Sequence, residues 1–143
     1  MSSRPKLLVA DPHPASRLTA LDALRDDYEV VPMPEDDDPL RATRHHRPAV
    51  LLLAVPAARA SAALRACRSL KTEANPPRVA LLDRLSRLED PDDALTSWLA
   101  DGVLQGPADG PAVRRFVSDV VAGRRPVVRS TAGKGLLGRL FGR

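Results

Sequence analysis

A chain of 143 residues, 43% hydrophobic but only 3% aromatic, suits one compact domain with a Leu, Val and Ala core and room for a short appendage. It has no apolar run near the ~20 residues of a membrane-spanning helix and no signal-peptide pattern, and its one cysteine, Cys67, excludes an internal disulfide; a cytoplasmic protein is expected. The formal charge of +4 is uneven: residues 124–143 hold six basic side chains and no acid, leaving 16 basic against 18 acidic residues elsewhere, so the folded part implies no nucleic-acid partner.

KLLVA (6–10) reads as a buried strand ended by DPHP. SRLTALDAL (16–24) puts Leu18, Leu21 and Leu24 on one helical face, with Ala20 alongside. YEVVPM (28–33) is a second strand, stopped by Pro32 and Pro34. DPLRATRHH (38–46) predicts a short helix with Asp38 as N-cap and Pro39 at the first helical position. AVLLLAV (49–55) is a third strand, apolar on both faces as a central parallel strand is. SAALRACRSL (61–70) is a helix that packs Cys67, and PPRVALLD (76–83) a fourth strand after a proline break.

DPDDALTSWLADG (90–102) carries both helix signals, with Asp90 and Pro91 at its start and Gly102 past its end. GVLQGP (102–107) is a fifth strand. DGPAVRRFVSDVVAG (109–123) is a last helix with Val113, Phe116, Val117, Val120 and Val121 on its apolar face. Five strands alternating with five helices imply right-handed crossovers and one parallel sheet covered on both sides.

Beyond residue 125 the chain reads as a tail. RRPVVRSTAGKG (124–135) has the composition of a basic, flexible linker. GLLGRLFGR (135–143) offers Leu136, Leu137, Leu140 and Phe141 as one apolar face, with Arg139 and Arg143 displaced from it. Gly135, Gly138 and Gly142 each cost about 1 kcal/mol relative to Ala in a helix, so this peptide forms on a surface or not at all.

Four segments carry a family likeness. KLLVADPHPASR compares with KILVVDDEPxxR, YEVVPMPEDDDPL with YEVVTAxxGEEAL, RPAVLLLAVP with RPDLVLLDxxMP, and ADGVLQGP with ADDYLxKP. In order and spacing, residues 5 to 125 resemble the receiver domain of two-component response regulators, the CheY-like family. The resemblance implies a flavodoxin-like (βα)5 doubly wound parallel sheet of strand order 2-1-3-4-5, with a receiver-like domain over 1–125 and a short basic tail over 126–143. It also implies a setting in bacterial two-component signalling.

The resemblance further implies a site at the carboxyl ends of the strands. There the family holds Mg²⁺ on two acids after the first strand and one ending the third, which accepts the phosphoryl group. A hydroxyl residue ending the fourth strand and a lysine ending the fifth bond the phosphoryl oxygens. Position by position, this chain has lost most of that set. Asp11 keeps the first acid as a vestige, but Pro12 stands at the principal metal acid, Ala54 at the acceptor, Leu82 at the hydroxyl and Gly106 at the lysine. A methyl group cannot attack phosphorus, and one carboxylate cannot supply a divalent ion's ligand charge. No catalytic residue, metal or cofactor is therefore expected, and the chain reads as a non-enzymatic pseudo-receiver.

Other polar groups have plainer readings. Asp11 can cap a helix or bond a nearby N–H instead of holding a vestigial cation. His45 and His46 are adjacent, so on a helix they point ~100° apart and cannot clamp one ion; with His13 they read as solvated surface. EDDD (35–38) reads as a solvated loop and helix cap, although Glu35, Asp36 and Asp83 are the acids that could serve as a displaced acceptor.

What the family retains without phosphorylation is its recognition surface, formed by the fourth helix, fifth strand and fifth helix. The family's coupling aromatic is Val103 here, so no switch is expected. Trp98 has core-like spacing with Leu95 and Leu99, yet a half-exposed Trp is also a common interface anchor. The expected function is a phosphorylation-independent adaptor that binds protein partners, a homodimer contact included, through this surface and through the terminal peptide. The alternatives left open are a response regulator with a displaced acceptor, a tail that anchors weakly to a membrane surface, and nucleic-acid association through the tail.

Overall fold

The computed structural model describes residues 4–34 and 36–130. The apolar runs form strands because they are buried on both faces, where alternate residues feed two separate cores. The strands are β1 (Lys6–Ala10), β2 (Glu29–Pro32), β3 (Val50–Ala54), β4 (Arg78–Asp83), β5 (Gly102–Gln105) and β6 (Val127–Arg129). The helices are α1 (Pro14–Leu24), α2 (Pro39–His46), α3 (Ala60–Lys71), α4 (Pro91–Thr96) and α5 (Gly110–Val121). The sheet runs β2-β1-β3-β4-β5-β6, every pair parallel. This is the flavodoxin-like receiver fold, with the expected 2-1-3-4-5 order extended by one strand.

On one face Leu8, Leu51, Leu53, Val79, Leu81 and Val103 meet Ala63, Cys67 and Leu70 of α3 and Ala94 and Leu95 of α4. On the other, Leu7, Val9, Leu52, Ala80 and Leu104 meet Ala20 and Leu24 of α1 and the Val113–Phe116–Val117–Val120 stripe of α5. Cys67 lies in the first core, where burial foremost, and the Asp101 charge behind it, pushes its thiol up to about 12. Only the thiolate reacts, so alkylation of Cys67 at pH 8 is expected to be roughly 100-fold slower in the native chain than in urea. Comparable rates in the two states would show that this core opens readily.

Helix starts follow their predicted chemistry. Asp38, Asp90 and Asp109 cap α2, α4 and α5 by accepting the N–H groups of Leu40, Asp93 and Ala112, and a proline occupies the first turn of each helix. His13 caps α1 through Nδ1, which accepts the Ser16 N–H.

Five expectations change. Val127–Arg129, expected in the linker, form β6, which pairs with β5 across Val103–Val127 and Gln105–Arg129. A three-residue strand between Pro126 and two polar residues has too short a run to show periodicity; β5 supplies the template. α4 stops at Thr96, and Gly102 is not its cap but the first residue of β5. A Cβ on Gly102 would lie 2.7 Å from Val120 Cγ2 and 3.0 Å from Phe116 Cε1, so this glycine lets α5 approach the sheet. Leu18 is 59% exposed, because α1 faces the sheet with the i, i+4 pair Ala20 and Leu24. Val121 is also exposed, lying one residue past the buried stripe of α5.

Candidate functional site

Register brings the four family positions to one edge. Ala54 ends β3 opposite Leu82 of β4, and Leu82 lies opposite Leu104 of β5, two residues before Gly106. Asp11 and Pro12 follow Ala10, which pairs with Leu53. The positions compared in the sequence thus also lie together in space, with Gly106 at φ +88°.

Asp11 is only 3% exposed. Its Oδ1 accepts the His13 N–H at 3.0 Å, fixing the turn into α1 as the plainer reading expects. Its Oδ2 is buried and has no hydrogen-bond partner among the described residues. Among those residues, no three His, Cys, Asp or Glu side chains gather closely enough to hold a metal ion. Mg²⁺, which the fold family implies, does not fit this donor set: one carboxylate, half of it committed to the backbone, beside a proline and a methyl group.

Two clefts open over this edge. One, of about 360 Å³, is lined by Asp11, Ala54, Val55, Leu82, Arg84 and Leu85, among others. The second, of about 190 Å³, reaches Leu104, Gly106, Pro107 and Val113. They share His13, Ser16, Leu82 and Arg84 and so form one groove from β3 to β5. On the other face a cleft of about 540 Å³ lies between α2 and α3 over Met33, Leu53 and Ala54. The groove over this edge is mostly apolar, and Arg84 lines both of its parts.

Asp83, an acid at the end of β4, is 0% exposed. Oδ1 accepts the Arg87 N–H at 2.8 Å; Oδ2 accepts the Leu88 N–H at 2.8 Å and Gln105 Nε2 at 2.9 Å. Gln105 Nε2 also donates to Leu88 O at 2.9 Å. Asp83 and Gln105 are cross-strand partners on the α4 face and tie the loop after β4 to β5. Both oxygens are engaged by donors inside the protein. Asp36 is exposed, and Glu35 lies outside the described residues.

The expected recognition surface is altered by β6, which occupies the hydrogen-bonding edge of β5. Val103 is wholly buried in the first core and cannot touch a partner. Trp98 is half-buried just past α4, not on it, and Leu99 beside it is 38% exposed with φ +66°. Leu136, Leu137, Arg139, Leu140, Phe141 and Arg143 lie outside the described residues. His45 and His46 sit at the last turn of α2 with their rings edge to face at 4.8 Å. No described helix is long and apolar enough to cross a membrane.

Arg84, Leu85 and Gln105 have no role in the sequence-based reading. Leu85 carries no signal, but the Asp83–Gln105 pair was accessible once β4 and β5 were aligned in parallel.

No family profile and no curated protein sequence matches this chain. Solved structures do. The chemotaxis response regulator CheY4 of Vibrio cholerae is 17% identical with a TM-score of 0.67, covering 82% of this chain and 99% of its own. A response regulator from Thermotoga maritima is 18% identical at 0.65, covering 84% and 99%. A signal receiver domain from Bermanella marisrubri is 22% identical at 0.62, covering 83% and 99%. These likenesses show the fold, which is that of response-regulator receiver domains.

Proposed function

We propose that this chain is a phosphorylation-independent, non-enzymatic receiver-like module that binds protein partners in signalling or localisation. The observation that carries the reading is Ala54 at the acceptor position, in register with Leu82, at an edge where no three metal-ligating side chains gather among the described residues. Phosphoryl transfer needs an attacking oxygen and cations to balance the transferred charge, and this edge supplies neither the oxygen nor the metal ligands.

The binding surface we propose is formed by α4, β6 and α5, with Trp98 and Leu99 as its apolar centre. A half-buried Trp beside an exposed Leu is the composition of an interface anchor. The terminal peptide is the second contact, through Leu136, Leu137, Leu140 and Phe141 with Arg139 and Arg143, to a partner or a surface.

Incubation with acetyl phosphate and Mg²⁺, followed by intact-mass measurement, is expected to leave the chain unmodified. A stoichiometric, acid-labile phosphoryl adduct would instead establish the alternative of a displaced acceptor, for which Asp36 and Glu35 remain the candidates in the loop after β2.

A further inference from the structure

The groove left by the lost acceptor site has an occupant within reach. The Ser130 N–H donates to Gln105 O at 2.7 Å, and Ser130 Oγ donates to Pro107 O. A Cβ added to Gly106 would lie 3.3 Å from Ser130 O. Ser130, the last described residue, therefore lies at the mouth of the groove, against Gly106 at the position of the family's lysine. Ser130 follows β6, and from β6 to β3 is three strand spacings, about 14 Å. Residues 131–135 extend as far as about 17 Å, so Leu136 and Leu137 reach Ala54.

The groove's chemistry fits that segment. Its walls include Ala54, Val55, Leu82, Leu104 and Leu85, the last 45% exposed. Leu136, Leu137, Leu140 and Phe141 are large apolar side chains. Asp11 Oδ2 is a buried acceptor awaiting a donor, and an unmatched buried acceptor is unfavourable. Residues 131–143 bring Lys134, Arg139 and Arg143 and no acid. Arg84 lines both clefts and repels those cations, so apolar contacts carry most of the docking.

We propose that residues 131–143 fold back in cis into the emptied acceptor groove. Their apolar side chains cover Ala54, Leu82 and Leu85, and a basic side chain pairs with Asp11 Oδ2. The terminal peptide is then withheld until a partner competes for it, which makes the vacated site an internal restraint on the tail. The inference rests on the reading that this site is emptied, but the acetyl phosphate experiment tests that reading without reference to the tail.

In the full ¹⁵N-labelled chain, Leu140→Asp with Phe141→Asp is expected to shift the amide signals of Asp11, His13, Val55, Leu85 and Gly106. Shifts confined to residues 131–143 would overturn the proposal. Because native Cys67 is buried, Ala54→Cys with Phe141→Cys gives a clean trap. Mild oxidation should close an intrachain disulfide about tenfold or more faster than in the Ala74→Cys, Phe141→Cys control at the opposite edge, as a millimolar effective concentration implies. A covalent dimer would assign the groove to a second copy's tail, and equal rates to no tail at all; either outcome sinks docking in cis.

Discussion

Asp83→Ala is expected to destabilise the chain by about 3–5 kcal/mol, because it leaves several buried donors without an acceptor. Those donors are the N–H groups of Arg87 and Leu88 and the Gln105 amide, all directed at one carboxylate with 0% exposure. Asp83→Asn should cost less than Asp83→Ala but remain clearly destabilising, since its amide keeps one carbonyl oxygen and turns an NH₂ toward groups that are themselves donors. Urea unfolding of the three proteins measures the order. A loss under about 1 kcal/mol for Asp83→Ala would mean that water replaces the carboxylate at little cost. The effect bears on the proposed binding surface, because this network ties the loop leading into α4, next to Trp98, to β5. Amide exchange at Arg87 and Leu88 should accelerate in both variants before global unfolding.

Asp101→Ala is expected to cost about 2–4 kcal/mol, slightly less because its partner reaches water. Asp101 Oδ2 accepts Lys71 Nζ at 2.8 Å and the buried Val79 N–H at 2.7 Å. The two side chains are 15% and 12% exposed, so the pair is screened only in part. Lys71 Nζ also donates to Pro77 O at 3.0 Å. Together these contacts hold the end of α3, the start of β4 and the turn before β5 at the amino edge of the sheet. Lys71→Met should cost less than Asp101→Ala, since the Val79 N–H keeps its acceptor. Chemical denaturation decides between them, and the reverse order would make the ion pair, not the backbone contact, the dominant element.

The strands β1, β3 and β4 were legible because continuous burial on two faces demands unbroken Leu and Val runs. The starts of α2, α4 and α5 were legible because an aspartate followed within two residues by proline is local chemistry. Leu18 was misplaced because helical spacing alone does not say which part of an apolar arc meets the sheet. Gly102 was misread as a stop signal because its neighbours Val120 and Phe116 are distant in sequence.

By itself the sequence determined that Pro12 and Ala54 carry no carboxylate, Leu82 no hydroxyl and Gly106 no amine, since the absence of such a group is a property of residue type. It also determined the alternation of strand and helix, which apolar periodicity encodes locally. Tertiary structure alone decided that β6 covers β5, that Val103 is sealed in the core, that Asp83 is engaged by internal donors, and that Asp11 keeps one oxygen unmatched among the described residues. Those outcomes depend on which distant groups a fold brings within a few ångströms, and pairing energies across a sheet are not written in any single segment.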